Sequence, residues 1–203
     1  MLSEVVIDPE IRSVIPPLRP EEYAELERSV LAEGCRDALV LWKGAGILVD
    51  GYHRHTICEK HGLPYQTTAI AFADRAAATS WVIRNQFARR NLTPFQRAEL
   101  ALKLEPLIAV RAKAQQGTRT DISQTSAESL APIDTREEVA KAAGLSHDTI
   151  AKAKKIAAEA PEEVKERLRS GETSINREWE ALQKPHVSQN SGDNEWYTPK
   201  EYI

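Results

Sequence analysis

A cluster of polar residues lies where a predicted strand gives way to a predicted helix. The stretch that starts at Leu48 reads LVDGYHRHTICEKHGL, and Gly51, His53 and Arg54 follow its apolar run. A helix N-terminus offers unpaired N–H groups and a partial positive charge, and arginine adds a charged two-pronged donor. Glycine lets a ligand approach the backbone closely. The pattern predicts a phosphate-binding site, although an ordinary turn with solvated side chains has the same pattern.

A second pattern is the stretch TREEVAKAAGLSHDTIAKAKKIAAEA, which starts at Thr135. Thr135 and Glu138 form a predicted capping box, Gly144 suits a left-handed turn, and Ser146 can cap a second helix. The spacing is typical of a DNA-binding helix-turn-helix, whose second helix enters the major groove. The alternative is a two-helix hairpin that packs against its neighbours and binds nothing.

The second helix of this motif carries the candidate DNA contacts. Lysines would bind phosphates, and polar residues near the helix start would reach base edges. The candidates are Ser146, His147, Asp148, Thr149, Lys152 and Lys155. Charge supports this interpretation, because residues 75–120 carry nine bases against two acids, whereas residues 1–34 carry eight acids against three arginines. A segregated basic region can bind a polyanion even though the whole chain has a net charge of -3.

Apolar periodicity predicts the elements that position both patterns. The runs SEVVID, ALVLW, GILVD and YQTTAIAF indicate strands, and RPEEYAELERSVLAEG, residues 51–61 and DRAAATSWVIRNQF indicate helices. A further helix is predicted to begin at Thr93-Pro94. Residues 111–133 have few large apolar side chains and predict a linker or mobile loop, and the chain beyond them is helical in pattern up to Leu182.

The composition is that of an ordinary globular protein. The chain has 203 residues, of which 41% are hydrophobic and 28% charged, enough for one large domain or two small ones. Without an apolar run long enough for a membrane span and without a signal peptide, a soluble cytoplasmic protein is expected. Cys35 and Cys58 are too few for a disulfide framework or a Cys-rich zinc site, so free thiols and no metal site are predicted.

The order of these parts resembles the ParB/sulfiredoxin superfamily, in particular ParB-like partition proteins and their phage and plasmid relatives. The resemblance covers roughly residues 1–179. It implies an α+β ParB/sulfiredoxin-like domain at 1–92, an all-α helix-turn-helix domain at 93–183 with the motif at about 136–156, and a flexible tail at 184–203. It also implies a bound nucleoside triphosphate, CTP or ATP with Mg²⁺.

The resemblance assigns the nucleotide-binding residues through two boxes, a Gly-x-x-Arg turn and, at NQFAR, the Glu-Asn-x-x-Arg box of the partition proteins. The implied residues are Gly51, His53, Arg54, Asn85, Gln86, Arg89 and Arg90. Asn85 replaces the glutamate of hydrolysing relatives, which puts hydrolysis in doubt and weakens Mg²⁺ coordination. Tyr52 replaces the catalytic cysteine of sulfiredoxins, so sulfinic acid reduction is not expected.

These features together predict a ParB-like DNA-binding protein that serves partition or regulation in a plasmid, phage or mobile element. It would act as a homodimer on double-stranded DNA, away from membranes and with no catalytic residue assigned. One alternative is a nucleotide hydrolase, kinase or nuclease that uses the Gly51–Arg54 box. Another is the DNA-targeting part of a methyltransferase fusion, because the tail DNEWYTPKEYI resembles the segment that opens a phage-type adenine DNA methyltransferase domain. No cofactor loop follows that segment, so we predict no methyl transfer.

Overall fold

The structure is a computed structural model that describes residues 5–88, 91–117 and 134–183. The first part contains α1 (Pro9–Ser13), α2 (Pro20–Glu33), β1 (Leu39–Trp42), β2 (Leu48–Asp50), α3 (Tyr52–His61), β3 (Thr67–Ile70), α4 (Arg75–Phe87) and α5 (Pro94–Gly117). The second contains α6 (Thr135–Ala143), α7 (His147–Glu159), α8 (Glu162–Ser170) and α9 (Ile175–Gln183). A mixed α/β fold with one small sheet and many helices agrees with the predicted class. The tail, including the methyltransferase-like segment, lies outside the described residues.

The sheet has three strands in the order β2-β1-β3. Strand β1 is antiparallel to β2 and parallel to β3. Helix α3 connects β2 to β3. The strand predicted at SEVVID is wrong, because Val6 forms only an isolated bridge with Ile47. Asp8 instead caps α1, and its carboxylate accepts hydrogen bonds from the backbone N–H groups of Glu10 and Ile11, each at 3.0 Å. An N-terminal cap so close to the bridge ends the extended segment.

Helix α5 begins as predicted and ends later than predicted. Thr93 Oγ1 accepts from the Gln96 backbone N–H at 3.2 Å, and Gln96 Oε1 accepts from the Thr93 N–H at 3.0 Å, a reciprocal capping box. The helix then continues through Pro106 to Gly117. The linker predicted from residue 111 is therefore wrong for residues 111–117, where Ala, Lys and Gln are good helix formers. Residues 118–133 lie outside the described part of the chain.

The main hydrophobic core is shared between the sheet and the helical half. It joins Leu39 and Leu48 of the sheet, Val82 of α4, Leu104 of α5 and Val139 of α6, all of them buried. A second cluster packs under α7, α8 and α9, and a third lies between α2 and α3. The core thus crosses the predicted domain boundary at residue 92. In the described ranges, no helix combines the length and the apolar character needed to cross a bilayer.

Candidate functional site

A cleft of about 730 Å³ opens where β2 meets α3. Its wall includes the start of α3, part of α2, the loop before β1 and the end of α4. Among its lining residues are Glu22, Asp37, Gly51, His53, Arg54 and Asn85. Four residues that the sequence singled out, Gly51, His53, Arg54 and Asn85, therefore line one space, although the last of them comes from a different helix.

Position 51 requires glycine because of its backbone conformation and its close neighbours. Its φ is 94°, a left-handed conformation that only glycine adopts at low cost. A Cβ at this position would lie 2.5 Å from Leu39 Cδ2 and 3.1 Å from Arg54 Nη2. The next residue, Tyr52, is buried and donates its hydroxyl to the backbone carbonyl of Leu48. Burial raises the pKa of Tyr52 to about 12, so the phenol stays protonated and structural.

Arg54 is held by two carboxylates of its own chain. Its Nη1 lies 3.0 Å from Asp37 Oδ2 and its Nη2 lies 3.1 Å from Asp50 Oδ2. The Arg54 side chain is 18% exposed, whereas that of Asp37 is 84% exposed. Sequence reasoning missed Asp37, because it lies 17 residues before Arg54 in an unremarkable loop. An incoming anion would have to replace the Asp37 carboxylate on the guanidinium.

The described wall of the cleft is acidic. Its described lining residues include four carboxylates, Glu22, Glu25, Asp37 and Asp50, and one arginine, Arg54. Carboxylates repel the negative charge of a phosphate, so these lining residues alone do not favour a triphosphate. Arg89 and Arg90 directly follow Ala88, which lines the cleft, but both lie outside the described residues. Their contribution to phosphate binding stays a prediction.

Gln86 faces a smaller pocket, of about 80 Å³, which shares Glu22 and Asn91 with the cleft. Its side chain is fully buried, and its Nε2 donates to the Val82 carbonyl at 3.4 Å. Its Oε1 has no hydrogen-bond partner among the described residues. A buried acceptor without a donor costs roughly 1–3 kcal/mol. This amide oxygen therefore fits a ligand group that donates a hydrogen bond or a cation that takes oxygen ligands.

Glu22 joins the two pockets through hydrogen bonds. Its Oε1 accepts from Arg19 Nη2 at 3.0 Å and from Asn91 Nδ2 at 2.8 Å, and its Oε2 accepts from the Arg19 backbone N–H at 3.0 Å. The hydrogen bond from the Arg19 side chain is the main cause that lowers the pKa of Glu22 to about 2. Glu22 therefore stays ionised and ties the start of α2 to the loop before α5. This contact was not predicted from the sequence.

The turn between α6 and α7 has the predicted local geometry. Gly144 ends α6 with a φ of 65°, and Ser146 Oγ accepts from the Thr149 backbone N–H at 3.2 Å. The predicted capping box of α6 is wrong, because Asp134 caps that helix in place of Thr135. The charged Oδ1 of Asp134 accepts from the backbone N–H groups of Arg136 and Glu137, which starts the helix one residue earlier than the predicted cap.

Glu138, which the sequence assigned to that cap, is used elsewhere. Its carboxylate pairs with Arg84 of α4 and, at 2.7 Å, with Arg111 of α5. These contacts belong to a wider pattern, since each described base from residue 75 to residue 111 bonds to another part of the chain. Arg75 pairs with Asp8, Arg97 donates to the Ala143 and Phe87 carbonyls, and Lys103 donates to the Ser13 carbonyl. Much of the positive charge noted in the sequence therefore stabilises the fold.

The candidate DNA contacts lie along α7. Ser146, His147 and Asp148 are exposed at its start, and Thr149 is half-buried. Lys152 Nζ lies 2.8 Å from Asp148 Oδ2 and 3.2 Å from Asn176 Oδ1. Lys155 Nζ lies 5.3 Å from the ring centroid of Trp179. Both lysines are thus placed by neighbours in α7 or α9. The sequence did not predict the α9 contacts, because they depend on how two helices pack.

No family model matches the chain, and no curated protein matches its sequence. Solved structures share its fold. One crystal form of a pNOB8-like ParB-N domain superposes with a TM-score of 0.62 at 17% identity, over 88% of this chain and 75% of that one. A second structure of the pNOB8-like ParB N-domain gives 0.57 at 17% identity, over 89% and 71%. The chain has the fold of a ParB N-domain.

This ParB-like fold places the candidate residues in separate regions. Gly51, His53, Arg54 and Asn85 line the cleft, and Gln86 lines the adjoining pocket. The DNA candidates lie in the turn between α6 and α7 and along α7, and none of them lines the cleft or the adjoining pocket. Because the matched region includes most of the chain, the ParB-like fold extends into the helical half. At 17% identity the likeness concerns the fold, and the roles of these residues stay predictions.

Proposed function

We propose that this is a ParB-like protein that binds a nucleoside triphosphate in the β2–α3 cleft and double-stranded DNA through α7. The observation that carries the proposal is the turn at Gly51 and Arg54. There Gly51 has a positive φ and no space for a side chain, and the Arg54 guanidinium lies beside the start of a ten-residue helix. Together with the ParB N-domain fold, this supports a partition or regulatory role in a plasmid, phage or mobile element.

The phosphates would lie against the N-terminus of α3. Its first-turn N–H groups and its dipole favour an anion. Arg54 would exchange its contact with Asp37 for a phosphate oxygen, a charge-assisted bond. Arg89 and Arg90 would add the positive charge that the acidic wall lacks. CTP and ATP are both candidates.

A Mg²⁺ ion that accompanies the triphosphate would meet the neutral amide of Asn85 in the cleft, a weaker ligand than the glutamate of hydrolysing relatives. When bound, Mg²⁺ would neutralise charge on the triphosphate beside the cleft carboxylates. We assign no catalytic residue, because Asn85 is a neutral amide and cannot accept a proton from water. Binding without rapid hydrolysis is therefore the expected behaviour.

On the DNA side, the exposed start of α7 would reach base edges and its lysines would reach phosphates. His147 and Thr149 are the residues expected to set sequence preference. Lys152 and Lys155 would bind any duplex. A homodimer would double these contacts on a palindromic site. The protein would work in the cytoplasm.

Calorimetric titration tests the nucleotide half of the proposal. CTP and ATP are each added to the full chain with and without Mg²⁺, and the Arg54→Ala variant is compared with Arg36→Ala. Arg36 pairs with Glu33 at the surface and is 68% exposed, so it matches the charge change without touching the cleft. Binding that only Arg54→Ala weakens supports the proposal. Absence of binding for both nucleotides, or equal loss in both variants, contradicts it.

Fluorescence anisotropy with labelled duplexes tests the DNA half. Affinity is expected to fall steeply with rising salt, because phosphate contacts release counterions. Substitution of Lys155 by Ala should weaken binding to all duplexes alike, whereas substitution of His147 or Thr149 should change the preferred sequence. A flat salt dependence would exclude phosphate-dominated binding.

A further inference from the structure

The two cysteines of the chain lie together behind the cleft. Cys35 follows α2 and is half-buried, and Cys58 lies on α3 and is 1% exposed. Both pack in the cluster formed by Val30 and Ile57. The two thiols are close enough for Cys35 to contribute to the raised pKa of Cys58, and Cys35 Sγ donates to the Asp37 carbonyl at 3.4 Å. The two side chains therefore pack together, although they are 23 residues apart in the sequence.

We propose that Cys35 and Cys58 form a reversible intramolecular disulfide when low-molecular-weight thiols become oxidised to disulfides. A disulfide needs close Cβ atoms and little backbone movement, and two cysteines that pack in one cluster between α2 and α3 favour both. In a reducing cytoplasm such bonds are usually transient and sense redox change. The cysteines are thus a modification site, separate from nucleotide binding and from DNA binding.

The exchange takes place in two steps. The Cys35 thiolate, the accessible sulfur, attacks one sulfur of a small disulfide such as oxidised glutathione and expels a glutathione thiolate. Cys58 then loses its proton and attacks Cys35 Sγ in the mixed disulfide, which releases the second glutathione. The two protein thiols are oxidised, and one small-molecule disulfide is reduced to two thiols. Burial raises the pKa of Cys58 to about 11, so the second step is expected to be the slower one.

The bond would act on the cleft, and this consequence rests on the proposed function. Cys58 lies one helical turn after Arg54 on α3, so the two share a face of that helix. Asp37, which pairs with Arg54, lies two residues after Cys35. A disulfide would tether the loop that carries Asp37 to the helix that carries Arg54. It would hold the competing carboxylate in place and weaken phosphate binding.

Intact-mass spectrometry of the full chain after incubation with oxidised glutathione tests the proposal. Wild type is expected to lose the mass of two hydrogen atoms and to recover it with a reductant. Cys58→Ala should accumulate one glutathione adduct at Cys35, and Cys35→Ser should stay unmodified because Cys58 is buried. Thermal unfolding verifies that each variant is folded. A stable glutathione adduct on wild type, a disulfide-linked dimer, or no change would overturn the proposal.

Nucleotide titration of the same samples separates this inference from the proposed function. Oxidised wild type is expected to bind the nucleotide about 5-fold more weakly than reduced wild type, because a competing exposed ion pair contributes at most about that factor. Cys35→Ser should show no such change. Equal affinity in both redox states would remove the link to the cleft and leave the disulfide standing. Absence of binding in the reduced protein would overturn the nucleotide proposal and not the disulfide.

Discussion

Replacing Asp37 by Asn is expected to strengthen anion binding at the cleft. The Asp37 carboxylate lies 3.0 Å from Arg54 Nη1, and its side chain is 84% exposed. An exposed ion pair is worth roughly 0.2–1 kcal/mol, and an anion must break it to reach the guanidinium. The neutral amide removes most of that cost. Since about 1.4 kcal/mol corresponds to a tenfold change, we expect about 1.5- to 5-fold tighter binding.

Replacing Arg54 by Ala should have the opposite and larger effect. A hydrogen bond to a charged group contributes roughly 1.5–3 kcal/mol, which corresponds to about 10- to 150-fold weaker binding. In the double variant Asp37→Asn/Arg54→Ala, the gain from Asn should vanish, because the group for which Asp37 competes is gone. This non-additivity distinguishes competition from a general change in charge.

Isothermal titration with CTP and Mg²⁺ measures all three variants, with Glu33→Gln as the matched control. Glu33 is 52% exposed at the end of α2 and pairs with Arg36, so its neutralisation changes the net charge equally. If Asp37→Asn weakens binding, or if Glu33→Gln tightens it to the same extent, Asp37 does not compete for Arg54. The hypothesis that Asp37 competes with the ligand for the Arg54 guanidinium would then be refuted.

Three further substitutions test other parts of the structure. Gly51→Ala should lower the free energy of unfolding, measured by urea titration, by about 2–4 kcal/mol, because the new Cβ would meet the buried Leu39 at a position with positive φ. Gly44→Ala, where nothing lies within 4 Å of the new Cβ, should lower it by about 1 kcal/mol. The pKa of Glu22 is lowered to about 2, so its stabilisation is complete above about pH 4.5 and is lost as the pH falls towards 2. Glu22→Gln should therefore remove about 1–3 kcal/mol at pH 6 and little at pH 2, and equal losses at both pH values would contradict this. Lys152→Ala should reduce the slope of log affinity against log salt for duplex DNA by about 1, while Lys60→Ala on α3 should leave it unchanged. Equal slopes for both variants would place α7 away from the phosphates.

Local signals in the sequence predicted the turns that frame both candidate sites. Gly144 takes the left-handed conformation expected of it, Ser146 caps α7 as expected, and α3 begins directly after Gly51. Glycine and short polar residues act on their own backbone neighbours, so their effect can be inferred without knowing the fold. The same holds for the box at Thr93 that begins α5.

The pairing of charged side chains could not be predicted in this way. Arg54 pairs with Asp37, Glu138 with Arg84 and Arg111, and each pair joins segments that packing alone brings together. A basic stretch in the sequence therefore indicated a polyanion site, while the structure uses many of its charges internally. The end of α5 was missed for a different reason, because its last turns have helix propensity and few large apolar residues.

Two hydrogen bonds from Arg97 limit how the helical half of this protein can be exchanged for that of another protein. One guanidinium donates to the Phe87 carbonyl at the end of α4, at 3.0 Å, and to the Ala143 carbonyl at the end of α6, at 3.1 Å. Phe87 is adjacent to a residue of the cleft wall, and Ala143 precedes the glycine turn. A chimera that grafts a foreign helix pair after residue 117 would have to present a carbonyl at the position of Ala143, or Arg97 would lose its hydrogen bond to that half of the protein.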